Sequence, residues 1–148
     1  MTPADPARQR IVAAARGWLG TPYHHQASLR GVGCDCLGLV RGLWRELYGA
    51  EPEPTPPYSP YWAQHEACET LALAAARHMR PLEPLAIQPG DLLLFRWRDD
   101  LPAAHCAILV SGDALLHAHD GAAVSEVAFT RWWRRHLSHA FAFPEPDA

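Results

Sequence analysis

The chain has 148 residues, 49% hydrophobic and 20% charged, with 10 Gly, 14 Pro and a formal charge of −3. That length and composition suit one domain over residues 1–148 with a real core, and exclude disordered, collagen-like and coiled-coil chains. The mild acidity leaves no electrostatic footprint for nucleic acid or an anionic membrane. All 13 basic residues are arginines, which excludes a lysine nucleophile, a lysine Schiff base or a P-loop lysine.

No apolar run approaches the roughly 18 residues of a membrane span. The first residues carry Arg8 and Arg10 without a following apolar stretch, so the expectation is synthesis in the cytoplasm without a signal peptide. In that compartment Cys34, Cys36, Cys68 and Cys106 are expected as free thiols rather than two disulfides.

Residues 3–19 predict a helix, with Pro3 at its first position and Ile11, Val12, Ala15, Trp18 and Leu19 at helical spacing. Gly20-Thr21-Pro22 ends it, and the aperiodic stretch up to Asp35 reads as an ordered loop. A second helix starts at Cys36, with Asp35 as its N-cap. Leu37, Val40, Trp44 and Leu47 form its apolar stripe, Arg41 and Arg45 face away, and Gly49 is a natural C′ residue. Residues 51–60 hold five prolines and predict a stiff extended connection. Residues 62–79 predict a third helix, ending before Pro81.

After Pro89-Gly90-Asp91 the character changes. The runs DLLLFRW, HCAILVS, ALLHAH, AAVSEV and HAFAF predict four or five antiparallel strands, with a tight hairpin at Gly112-Asp113. FTRWWRRH predicts a short helix before the last strand. Helices first and strands afterwards imply an α+β domain, with N-terminal helices packed on a C-terminal antiparallel sheet of about five strands.

Cys36 is the most informative residue. At a helix start, the positive end of the helix dipole and unpaired backbone N–H groups favour thiolate. The same N–H groups can hold a developing oxyanion. His105, opening a strand, is the candidate base, and His117 on the next strand is the candidate orienting group. His119 shares that strand face and is the one rival for the orienting role. Each residue also has an ordinary reading, a small buried hydrophobe for the cysteine and a satisfied core or edge residue for each histidine. Spacing alone leaves the two readings level. A zinc site built from Cys34, Cys36, Cys106 and a histidine is disfavoured, because Cys-x-Cys lacks the usual gap and there is no second Cys pair.

Gly33-Cys34-Asp35-Cys36-Leu37-Gly38-Leu39-Val40 resembles the nucleophile motif Asp-Cys-Ser-Gly-Leu-Val of the NlpC family of papain-like cell-wall endopeptidases. Gly20-Thr21-Pro22-Tyr23, Pro89-Gly90-Asp91-Leu92, His105-Cys106-Ala107-Ile108 and Leu116-His117-Ala118 resemble four further family segments, in the same order. The variant Cys-Asp-Cys-Leu-Gly-Leu-Val looks most like the branch found in tailed phages and phage-derived gene transfer agents.

The resemblance implies a papain-like fold and a thiol peptidase that cuts stem peptides of bacterial peptidoglycan, typically after γ-D-glutamyl, with no cofactor or metal. It makes Cys36 the nucleophile, His105 the base, His117 the orienting residue and Tyr23 the tyrosine bordering the oxyanion hole. Asp35 would help bind the substrate's amino end, or act as N-cap alone. Leu37 stands where the family has Ser, and Cys106 where it has an aliphatic residue. Phage-like tail or hub proteins are the expected partners, and the tail, acting on the wall in the periplasm, the expected location. A papain-like amidase or acyltransferase, and a non-catalytic tail module, are the alternatives. His24-His25 with His119 either line the cleft or are exposed polar residues. Trp132-Trp133-Arg134-Arg135 is either a sugar- or partner-contacting patch or a core anchor with a solvated flank.

Overall fold

Residues 5–58 and 69–146 are described by a computed structural model of the chain. Helix α1 (Pro6–Arg16) starts where Asp5 accepts the backbone N–H of Ala7 at 2.9 Å, with Pro6 in the first turn. The expected start at Pro3 lies outside the described residues. The helix also ends earlier than its apolar spacing predicts, and the following turn carries Trp18, only 1% exposed. Within the loop to Asp35, two short strands pair antiparallel, β1 (Ser28–Leu29) and β2 (Gly33–Cys34). At two residues each, they are too short to show a period.

Helix α2 (Cys36–Tyr48) has the expected bounds. Asp35 Oδ1 accepts the N–H of Gly38 at 2.7 Å, and Gly49 closes the helix in the left-handed region at φ 87°. Its buried face is wider than the expected stripe. Leu39 and Leu43 are buried while Leu37 is only half-buried, because α2 packs against both α1 and the sheet. Residues 51–58 form no helix or strand. Glu51 binds Arg41 at 2.6 Å and Arg45 at 3.1 Å, and Glu53 binds Arg77 at 2.7 Å, fixing this stretch to its neighbours. Helix α3 (Thr70–His78) lies within the span of the third predicted helix but starts later, because Glu69 is not helical. Residues 62–68 of that prediction lie outside the described residues.

The sheet has six strands, one more than expected: β3 (Arg80–Leu82), β4 (Leu92–Phe95), β5 (His105–Ser111), β6 (Ala114–His119), β7 (Ala122–Ala128) and β8 (Leu137–Ala142). They run antiparallel in the order β3-β8-β4-β5-β6-β7. The unforeseen strand, β3, contains Pro81 and pairs only with β8 at the edge, where a missing N–H is tolerated. Gly112-Asp113 turns between the paired residues Ser111 and Ala114. The short helix α4 (Arg131–His136) precedes β8.

Both faces of the central strands are covered. Leu92, Leu94, Cys106, Ile108 and Leu116 join the cluster that contains α1 and α2. Leu93, Phe95, Ala107, Leu109 and Leu115 face a second cluster with Phe129, Trp133 and Ala140. This explains why β4 and β5 read as continuous apolar runs rather than alternating ones.

Candidate active site

Cys36 occupies the first position of α2 and is half-buried. Its thiol is held well below the ordinary range, first by the Cys106 side chain against it. His105, hydrogen-bonded to the sulfur, and the backbone N–H of Cys106 add to this, over the opposing cost of burial. Cys34, fully buried two residues earlier, is pushed up to about 12 by burial and stays a thiol.

His105 and His117 come together from adjoining strands β5 and β6. His105 Nε2 lies 2.9 Å from His117 Nδ1, with both rings 5% exposed. This engagement leaves His105 Nδ1 for Cys36. A His105 that has taken the thiol proton carries hydrogen on both nitrogens, so Nε2–H must donate and His117 Nδ1 must accept. That requires a neutral His117. Burial, followed by the charges of His105 and His119, pushes its pKa down to about 3.

His119 is exposed. Its ring stacks on His117 at 5.7 Å and lies 6.4 Å from that of His105, and the hydrogen bond to His105 belongs to His117. Tyr23 is half-buried and its backbone bridges to Cys34. Its pKa is raised to about 12, by burial first and then by the charges of Cys36 and Asp35. It is therefore a protonated hydroxyl within electrostatic reach of the nucleophile.

Asp35 is 2% exposed and both its oxygens are occupied. Oδ1 accepts Gly38 N–H, while Oδ2 accepts Gln26 N–H at 2.7 Å and the Tyr58 hydroxyl. The structure thus gives Asp35 the capping role, with Gln26 and Tyr58 engaging its second oxygen. Of His24 and His25, the first is exposed, and the second sits under Tyr58, with its Nε2 2.7 Å from the Tyr58 carbonyl oxygen.

Two residues of the site, Tyr58 and Trp97, escape sequence reasoning, which singles out Trp133 only as part of a patch or a core anchor. Tyr58 closes over Asp35 from the end of the proline-rich stretch. Trp97 stacks on His105 at 5.3 Å, and Trp133 stacks on the same ring at 6.0 Å while meeting His117 edge-on at 5.2 Å. The tryptophan pair thus divides: Trp133 packs on Phe95 at 4.8 Å, whereas Trp132 is 46% exposed. A cavity of about 610 Å³ lies between α2, residues 51–58 and α3, and reaches Leu37 and Cys106. Among the described residues, no group of three or more His, Cys, Asp or Glu side chains is placed to hold a metal ion.

A half-buried, low-pKa cysteine at a helix start, a histidine against it and a neutral histidine behind can attack a carbonyl and shuttle the proton. Comparison with known proteins gives the family and the fold of the chain. The sequence profile of the NlpC/P60 family matches residues 20–141. No curated protein sequence matches the chain.

Among solved structures, an NLP/P60-family protein similar to a lipoprotein from Staphylococcus aureus shares 21% identity at a TM-score of 0.61. That match covers 96% of this chain and 43% of the other, so the chain spans under half of that relative. The NlpC/p60 domain of the peptidoglycan hydrolase SagA shares 20% identity at 0.64, covering 92% of this chain and 98% of that domain. RipD from Mycobacterium tuberculosis, a non-catalytic NlpC/p60 protein adapted to peptidoglycan binding, shares 14% at 0.57 over 94% of this chain and 98% of its own. These likenesses share the α+β fold, helices followed by an antiparallel sheet. With a profile match running from the loop of Tyr23 to the last strand, the chain belongs to the NlpC/P60 family.

Proposed function

We propose that the chain is a cysteine endopeptidase that hydrolyses peptide bonds in peptidoglycan stem peptides, of the γ-D-glutamyl type. The observation that carries this reading is the assembly of Cys36, His105 and His117 at the start of α2, with His105 bonded to both partners. SagA is named a peptidoglycan hydrolase and RipD a non-catalytic, peptidoglycan-binding protein. A polarised thiol with its base in place favours the first role over the second.

In the proposed reaction the Cys36 thiolate attacks the scissile carbonyl carbon while the thiol proton resides on His105. The oxyanion meets the first-turn backbone N–H groups of α2 that Asp35 leaves uncapped, with the Tyr23 hydroxyl nearby. His105 then gives its proton to the leaving amine, and a thioester to Cys36 remains. Water, deprotonated by His105, hydrolyses that thioester and restores the thiol. His117 keeps the base in register throughout.

Digestion of purified peptidoglycan with wild type and Cys36→Ala in parallel, with product masses read out, tests the reading. Shortened stem peptides from the wild type alone support it and identify the bond; release by both proteins, or by neither, overturns it. The setting we propose is a phage-like tail that opens the wall during DNA delivery, docked on tail or hub proteins. Absence of the protein from purified particles by mass spectrometry would remove that setting while leaving the chemistry intact.

A further inference from the structure

Cys106 is a buried nucleophilic side chain that supports the Cys36 thiolate but takes no covalent part in the hydrolytic cycle. It is 1% exposed and follows His105 on β5, where strand alternation turns it, with Ile108 and Val110, toward α2. Its Sγ lies 3.2 Å from the carbonyl oxygen of Cys36. Its side chain and its backbone N–H both contact the Cys36 sulfur. Packing alone is met equally well by an aliphatic residue, which has no chemistry to offer a neighbouring thiolate.

We propose that Cys36 and Cys106 form a peroxide-responsive dithiol site, in which Cys36 is oxidised first and Cys106 is the resolving thiol. The Cys36 thiolate attacks one oxygen of a hydroperoxide. An S–O bond forms, the O–O bond breaks, and the departing alkoxide takes a proton from His105 to leave as the alcohol, or as water when the oxidant is hydrogen peroxide. Sulfur is oxidised by two electrons to the sulfenic acid. The Cys106 sulfur then attacks that sulfur. An S–S bond forms, the S–O bond breaks, and the leaving oxygen carries away the Cys106 proton as water.

In sum, two thiols and one hydroperoxide become one disulfide, one alcohol and one water. Two equivalents of a small thiol reverse it. The disulfide stops hydrolysis, and it also holds Cys36 below the irreversible sulfinic and sulfonic steps.

The inference rests on the reading of Cys36 as a reactive thiolate, but it is tested by mass. The full chain is treated with hydrogen peroxide, its remaining thiols are alkylated, and non-reducing peptide maps are taken before and after dithiothreitol. The expected result is a Cys36–Cys106 cross-link that dithiothreitol removes. In Cys106→Val, and in Cys106→Ser as a second variant should valine disturb the fold, Cys36 is expected as sulfinate or sulfonate. Each variant then regains none of its own pre-treatment activity on reduction, whereas the wild type regains all of it.

Sulfinate on wild-type Cys36 beside an unmodified Cys106, or equal recovery in wild type and variants, overturns the proposal. A chain that cross-links but releases no stem peptide before oxidation leaves this site standing and removes the hydrolase reading. A chain that releases stem peptides without cross-linking does the reverse.

Discussion

His117 shows how burial sets chemistry at one residue. Its Nδ1 must offer a lone pair to His105, and a protonated ring would have none and would repel the cation forming next to it. Burial keeps it neutral by lowering its pKa from 6.5 to about 3. The linkage follows from the sign. Between pH 6.5 and 3 the unfolded chain binds a proton at this position that the folded chain does not, so stability falls as pH falls through that window. A pKa lowered from 6.5 to about 3 removes on the order of 4 kcal/mol by pH 3. His117→Asn, which keeps a polar side chain without that titration, should show a urea midpoint that declines less than the wild type's between pH 7 and pH 4; parallel declines would count against a neutral His117. At the nucleophile, His105 helps to hold the Cys36 thiol down. His105→Ala should move the midpoint of Cys36 alkylation by iodoacetamide upward and reduce peptide release by roughly 10²- to 10⁴-fold, the usual worth of a general base.

At the scale of the element, α2 carries the site only because two glycines let it sit close. A Cβ at Gly38 would lie 1.8 Å from the Ala27 carbonyl oxygen, and one at Gly42 would lie 2.1 Å from Cζ2 of Trp18. The first clash is with backbone in the loop that holds Asp35, the second with a side chain in the core. Gly42→Ala should therefore cost about 1–3 kcal/mol by overpacking and alter the Trp18 near-ultraviolet circular dichroism, with Cys36 alkylation unchanged. Gly38→Ala should lower both the melting temperature and the Cys36 alkylation rate, since Ala27 and the first turn must part. The bounds of α2 were legible because Asp35 and Gly49 are local signals, and the five strands β4 to β8 because apolar runs alternate with turn residues. Leu39 and Leu43 were not, because their burial depends on α1 and the sheet covering two sides of one helix. Strands β1, β2 and β3 exist by pairing rather than by propensity. At the site, Cys36, His105 and His117 sit on motifs, whereas Tyr58 reaches Asp35 across 23 residues and Trp97 reaches His105 from a loop without a period. No spacing rule encodes such contacts.

The whole molecule must hold its helices at a fixed height over the sheet, because the nucleophile rides on α2 while its base and orienting group ride on β5 and β6. Helix α1, packed against α2, is tied to the sheet side by a buried ion pair, Arg8 Nη1 to Asp91 Oδ1 at 2.6 Å, with the aspartate side chain 1% exposed. Arg8 also donates to the Pro89 carbonyl oxygen at 3.3 Å, and Arg16 binds Glu126 of β7 at 2.6 Å. Burial raises the Asp91 pKa, and the Gln88 N–H and Arg8 only partly offset it. Removing Arg8 leaves a buried carboxylate with one backbone donor and only the charge of Arg80 to offset its burial. Arg8→Ala should thus cost about 3 kcal/mol, the worth of breaking a buried pair from one side, and lower the melting temperature by roughly 6–12 °C for a chain of this size. The loss should ease as pH falls from 7 to 5: with Arg8 gone the folded-state pKa of Asp91 rises further, and the folded chain then binds a proton that the unfolded chain does not. Asp91→Asn in the Arg8→Ala background should restore part of the stability, because the amide oxygen still accepts the Gln88 N–H without a charge to bury. Thermal melts of the two single variants and the double variant at pH 7 and pH 5 decide it. Additive losses with no pH dependence would reduce the pair to a surface contact, and would place the seating of α1 in Ile11, Val12 and Ala15 alone.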